Sequence, residues 1–286
     1  MSWEPRVLRV TRHVRADLTG DLSVPALARV ACYSPFHFSR VFQAVQGETP
    51  QRFVRRARLE RAVRLMRTRP ELELGDIAHA VGLAPISNFS RVFKQTYGVA
   101  PSAWDRASRL TPGLEGFEDQ LAEVRASCPP LRTLLRDRPA LRVGFVRIPT
   151  PFLDNTLLAA GFAELTGWFE ARGVDWRALP LVGMSWDSPD STPIDQVRYD
   201  LGFALPAGLD ASGPLGEQRL PAARCVEVHV QGPKGHIALA WEALYAWLST
   251  AQAEPANLPG IKHFRKRPDA LGWDQFDLDC SIALAP

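Results

Sequence analysis

"FSRVF" stands at Phe38–Phe42 and again at Phe89–Phe93, 51 positions later. The flanks repeat with it. The first copy reads LSVPALARVACYSPFHFSRVFQAVQGETPQRFV, from Leu22 to Val54, and the second LELGDIAHAVGLAPISNFSRVFKQTYGVAPSAW, from Leu72 to Trp104. Leu22 matches Leu72 and Ala28 matches Ala78 at an offset of 50. One extra residue then enters, and Arg40 matches Arg91, Gly47 matches Gly98 and Pro50 matches Pro101. This is an internal duplication, with too long a period and too few copies for a solenoid.

Each copy spells two short helices. In "VPALARVA", Val24, Leu27, Ala28 and Ala31 fall at helical spacing. "CYS" breaks the pattern, Ser34 is a good N-cap, and Pro35 suits the first helical position. On the next helix Phe38, Val41, Phe42 and Val45 form one apolar stripe, and Phe36, Ser39, Arg40 and Gln43 the opposite face. Two helices with a three-residue break outline a helix-turn-helix, whose second helix enters the major groove of duplex DNA. In the second copy the outward face is Ser87, Ser90, Arg91 and Lys94, with Ile86 and Asn88 at the helix start. Ala84 is a poor cap there. The alternative for these polar faces is plain solvation.

Thr49 to Arg69 joins the copies. Phe53, Ala57, Leu59, Ala62, Val63 and Met66 keep an amphipathic pattern, and arginines fill the remainder. One helix of about 20 residues is about 30 Å long, close to the roughly 34 Å between successive major-groove faces. Arg55, Arg56 and their neighbours are candidate phosphate contacts. Charge agrees with this division. Residues 1–112 hold 18 Lys/Arg against 9 Asp/Glu, whereas the remainder holds 16 against 22. A basic half joined to an acidic one suggests that only the first meets a polyanion.

The order A…S-P-x-H-F-S-R-x-F…G-x-T-P, a long helix, then D-I-A…V-G…N-F-S-R-x-F-K…G-x-x-P resembles the AraC/XylS-type DNA-binding domain over residues 5–110. By position, the resemblance implies base-facing roles for Phe36, His37, Ser39 and Arg40 in the first unit and for Ile86, Ser87, Ser90 and Arg91 in the second. Ile86 is apolar where many relatives are polar. Most relatives carry this domain at the C-terminus; here it comes first.

Residues 111–139, rich in Pro, Gly and charge, read as a linker with a short helix around Phe117–Arg125. A second duplication follows. DSPDSTPIDQVRYDLGFAL (Asp187–Leu205) aligns without gaps on KRPDALGWDQFDLDCSIAL (Lys266–Leu284), 79 residues later. Each half reads strand, helix, strand, strand. The strands are "LRVGFVRI", "LVGMSWD" and "VRYDLGFAL", then "RCVEVHV", "IKHFRKR" and "FDLDCSIAL". The expected fold is therefore an all-α double helix-turn-helix domain followed by an α+β domain, residues 140–286, of two pseudo-symmetric β-α-β-β halves with a cleft along the pseudo-two-fold axis.

L-x-G-x-x-W-D-x-P, R-Y-D-x-x-x-x-L, Gly232-Pro233 and the terminal D-x-x-I-A-L make this half resemble the GyrI-like effector-binding domain. The pairing with an AraC-type domain is similar to that of the Rob-type regulators. The resemblance implies a small-molecule effector, and Trp186, Tyr199 and Phe264 are the candidate aromatic walls. Relatives that bind cationic aromatic compounds often carry a glutamate where Lys262 stands here, so cation binding is not carried over. Core packing is the alternative for each aromatic.

Cys32, Cys128, Cys225 and Cys280 are far apart in the chain and form no metal-ligand pattern. No nucleophile-base set, phosphate loop or cofactor motif is found, so neither an enzyme nor a cofactor is expected. His229, His236 and His263 are lone histidines. The expectation is a cytoplasmic transcription regulator that binds double-stranded DNA, an effector and RNA polymerase, with no membrane association. A C-terminal half that binds a protein partner, or acts as a hydrolase, is the alternative.

Overall fold

The structure, a computed structural model, describes residues 4–104, 117–149, 155–186, 197–256 and 258–285. It divides into two compact units, Met1–Arg109 and Leu110–Pro286.

The first unit holds α1 (Glu4–Ala16), α2 (Val24–Ala31), α3 (Pro35–Gln46), α4 (Pro50–Thr68), α5 (Leu74–Ala80) and α6 (Ile86–Tyr97). Side-chain caps set three of the starts: Ser23, Ser34 and Thr49 accept from the backbone N–H of Ala26, His37 and Arg52. α6 starts after Pro85 with no side-chain cap, in line with the poor cap read at Ala84. Cys32 closes α2 in the left-handed conformation, φ 56°, and so makes the tight turn into α3.

Two cores form, one per copy. Phe38 and Phe42 are fully buried with Phe53 and Leu27, and the ring centroids of Phe42 and Phe53 are 5.5 Å apart. Phe89 and Phe93 are fully buried with Met66 and Ile77. α4 serves both, through Phe53 and Ala57 at one end and Leu59 to Met66 at the other. The phenylalanines of the repeated phrase are thus core. α1 is an addition to the sequence reading: Val7, Val10 and Val14 lay one stripe on the first core.

The second unit holds α7 (Phe117–Ser127), β1 (Thr133–Arg138), β2 (Leu141–Pro149), α8 (Asn155–Glu170), β3 (Leu181–Ser185), β4 (Arg198–Ala204), β5 (Gly216–Leu220), β6 (Ala223–Pro233), α9 (Lys234–Thr250), β7 (Gly260–Lys266) and β8 (Gln275–Ala283). The strands form one antiparallel sheet in the order β1-β6-β8-β7-β3-β4-β2-β5. The two β-α-β-β halves are present, and β3 meets β7 at the centre. Each half also sends an edge strand across to the other: β1 precedes β2 but pairs with β6, and β5 precedes β6 but pairs with β2.

The stretch 111–139, expected as linker, therefore contains a strand of the sheet and also α7, which packs on α9. β1 and β5 escaped the sequence reading because TLLRDR and GEQRL are edge segments with little buried apolar alternation.

Cross-strand partners share a face. One row therefore runs Val146, Leu201, Gly183, Lys262, Cys280, Val228 across β2, β4, β3, β7, β8 and β6. Gly183 and Lys262 occupy equivalent places in the 79-residue repeat and pair with each other, so the pseudo-two-fold axis passes through that pair. On this face α8 packs over β2 and β4, and α9 over β6 and β8. β3 and β7 run between the helices.

Candidate nucleic-acid interface and ligand site

α3 and α6 turn their phenylalanines inward and leave the opposite face to solvent. On α3, Phe36 is 75% exposed, Arg40 and Gln43 are exposed, and Ser39 is half-buried and donates to the Pro35 carbonyl at 2.9 Å. The Arg40 guanidinium lies 5.9 Å from the Phe36 ring centroid. His37 is half-buried edge-on against Tyr33, with centroids 4.8 Å apart. On α6, Ile86 is 48% exposed, Ser87, Arg91 and Lys94 are exposed, and Ser90 is half-buried. Asn88, read with Ile86 at the start of α6, is half-buried there. Its amide donates to the Leu83 carbonyl at 3.2 Å and its oxygen accepts from Arg91 at 2.9 Å. Asn88 therefore ties the helix start to the preceding turn and orients Arg91.

The arginines of α4 divide. Arg52 and Arg55 are exposed. Arg56 is not: its side chain is 10% exposed and pairs with Glu48 at 2.6 Å and Glu60 at 2.5 Å. A guanidinium held between two carboxylates is a structural cation, so the expectation of a phosphate contact is corrected at Arg56. Arg58 donates to the Leu18 carbonyl at 2.9 Å.

In the second unit Lys262, Tyr199 and Phe264 come together on the helix-covered face. Lys262 is 7% and Tyr199 4% exposed. The ammonium of Lys262 lies 4.5 Å from the Tyr199 ring centroid, a cation–π geometry. Burial, with the charge of Lys234 adding to it, lowers the Lys262 pKa to about 8. Burial also raises the Tyr199 phenol, and it pushes the Cys280 thiol up to about 12. Gly183 makes the arrangement possible. A Cβ there would fall 1.6 Å from the Tyr199 hydroxyl, so the ring extends over the bare backbone toward Lys262. Phe264 packs against the cores of both halves. Two residues not singled out in the sequence join this face. Ser185 lies opposite Tyr199 on β3, its hydroxyl buried and without a hydrogen-bond partner among the described residues. Trp241 of α9 covers Gly260, where a Cβ would meet its ring at 2.7 Å.

Trp186 does not join them. Its indole donates to Asp200 at 3.1 Å, and Asp200 alternates with Tyr199 onto the opposite face. There Arg147 donates to Asp200 at 2.8 and 3.0 Å. The second half repeats the motif around Asp279, with Arg265 donating at 2.8 Å and His229 Nδ1 at 3.1 Å. Arg265 holds the place of Trp186 in the repeat. The expectation that Trp186 shares a wall with Tyr199 and Phe264 missed strand alternation beyond the end of β3. His236 is buried at the start of α9, with Nδ1 2.9 Å from the Gln231 carbonyl, and His263 is exposed.

Comparison with known proteins divides the chain at the same places. The family model of a helix-turn-helix domain matches residues 27–107, and that of the GyrI-like small molecule binding domain matches residues 135–279, just over half of the chain. Regulatory protein PocR of Salmonella typhimurium is 31% identical over 101 residues, 35% of this chain and 33% of PocR. DNA gyrase inhibitor 2 of Dickeya dadantii is 27% identical over 122 residues, 42% of this chain and 75% of that protein. The chain thus spans only about a third of PocR. Among solved structures, the EcmrR C-terminal domain is similar with a TM-score of 0.44 at 13% identity, covering 55% of this chain and 99% of that domain. With an AraC-type helix-turn-helix domain ahead of it, the half-chain match places this protein in the family of the GyrI-like small molecule binding domain.

Proposed function

We propose that this protein is a sequence-specific DNA-binding transcription regulator whose second unit senses a small aromatic ligand. The observation that carries the reading is the pair of exposed faces on α3 and α6, each backed by its own core at one end of α4. At 1.5 Å per residue, the 19 residues of α4 span about 28 Å, near one helical turn of B-DNA. Phe36, His37, Ser39, Arg40 and Gln43 are assigned to one groove segment, and Ile86, Ser87, Ser90, Arg91 and Lys94 to the next. Asn88 acts there through Arg91. Tyr199, Lys262 and Phe264 are assigned to the ligand. Regulation at such a site takes place in the cytoplasm and brings RNA polymerase as a further partner.

Cleavage footprinting of the full chain on a selected duplex tests the DNA half. Protection of two major-groove segments one turn apart by a single copy of the chain is expected. Protection of one segment per chain would overturn it.

A further inference from the structure

We infer that the ion cluster Glu48–Arg56–Glu60 sets the register between α3 and α6, and so makes the protein selective for the spacing of two DNA half-sites as well as for their sequence. Arg56 is thereby a positioning residue. This deepens, and rests on, the reading of α3 and α6 as the base-reading helices of one chain.

The cluster lies where the two copies of the repeat meet. Along α4 the first core ends at Ala57 and the second begins at Leu59, and Arg56 and Glu60 stand on either side of that junction. Glu48 follows Gly47, the C-cap of α3. Arg56 donates to its carboxylate through Nη2 at 2.6 Å and Nε at 3.2 Å, and to Glu60 through Nη1 at 2.5 Å. The first contact spans eight residues and closes the corner between α3 and α4. The Arg56 guanidinium also lies 5.3 Å from the Phe53 ring, which packs on Phe42 of α3 at 5.5 Å. Across the junction Tyr97, at the end of α6, packs on Phe93 at 4.6 Å. It is within reach of both charges: burial and then Glu60 raise its phenol pKa, and Arg56 lowers it. Phe42 and Phe93 close the two copies of "FSRVF", so the cluster joins equivalent points of the two units.

The apolar contacts on either side are non-directional and tolerate a small tilt or slide of α3 or α6. A planar guanidinium held by three charge-assisted bonds does not. A buried ion pair adds little net stability over an apolar replacement, and the fixing of register is its best-attested use. The register matters at the scale of one base pair, which shifts the groove by about 3.4 Å and turns it by about 35°.

Fluorescence anisotropy of the full chain tests this on the selected duplex and on two derivatives, with one base pair inserted or deleted between the half-sites. The unmodified protein is expected to lose about tenfold or more in affinity on either derivative. The triple variant Glu48→Gln, Arg56→Met, Glu60→Leu replaces the whole cluster with groups that need no ionic partner, and its first unit should melt no lower than that of the unmodified protein. Its spacing penalty should fall to about threefold or less. Arg56→Lys keeps the charge without the fork and should give an intermediate penalty. A cluster that served stability alone would leave the full penalty in a triple variant of unchanged melting temperature. That result overturns the proposal and leaves the DNA-binding reading standing, as does an unmodified protein that protects two segments but is indifferent to spacing. If the triple variant does not fold, Arg56→Lys decides, and a full penalty there overturns the proposal. Protection of one segment per chain by the unmodified protein overturns both.

Discussion

Lys262 carries its charge at neutral pH in a place where charge is costly. Its pKa is about 8 in the folded protein against 10.5 for the free side chain. Between those values the unfolded chain binds a proton that the folded chain has released, so this group's contribution to stability rises with pH across that window. Cys280 works the other way. Its thiol is pushed from 9.0 to about 12, so above pH 9.0 the unfolded chain deprotonates first and stability falls. Comparison with Lys262→Met isolates the lysine. From pH of about 7.5 to about 10.5, the unmodified protein should gain on the order of 3 kcal/mol relative to the variant. Urea unfolding of the sheet-bearing unit at both pH values measures it, and parallel pH profiles would contradict it. The lysine itself was plain in the sequence as the residue at an acid's place. Its contact with Tyr199 was not, because that contact depends on a glycine three residues before Trp186 and on strand pairing.

At the scale of elements, α4 is a strut with a buried ion-pair cluster at its first half. Arg56 lies between Glu48 and Glu60, the latter 5% exposed. Removing the guanidinium leaves two carboxylates in a confined place. Arg56→Ala should therefore cost about 3–5 kcal/mol in the first unit, whereas Arg55→Ala, on an exposed position, should stay within about 0.5 kcal/mol. Thermal or denaturant unfolding of both variants checks the contrast, and a similar small loss for each would show that the ion pairs contribute little. Adjacent arginines in "RRAR" look alike in a sequence because both are long, basic and helix-compatible. The i, i+4 partner Glu60 and the approach of Glu48 from the turn before α4 separate them. The helices of the repeat were legible for the converse reason. A two-Phe stripe with a Ser-Pro start is a local pattern, and its burial follows from spacing alone.

For the whole molecule, the charge split sets how the protein meets DNA. The basic residues concentrate before residue 112 and the acidic ones after it, so attraction to phosphate falls on the first unit. The logarithm of DNA affinity should fall linearly with the logarithm of salt, and Arg55→Ala should reduce the slope by about 1 if its phosphate contact is direct. A filter-binding series from low to moderate salt reads this, and a salt-independent affinity would contradict it.

The sequence by itself determined both duplications, the helix-turn-helix pairs with their cores, the α4 strut, and the β-α-β-β order of each half. All of these rest on periodicity, caps and self-similarity, which are properties of near neighbours along the chain. The tertiary structure alone decided the exchange of β1 and β5 between halves, the placement of the axis on Gly183 and Lys262, and the separation of Trp186 from Tyr199. It also decided which arginine is buried and that Ser185 and Trp241 belong beside Lys262. Those features depend on which strands pair and in what register. Residues far apart in the chain set them jointly, and a shift of one position would send each side chain to the other face.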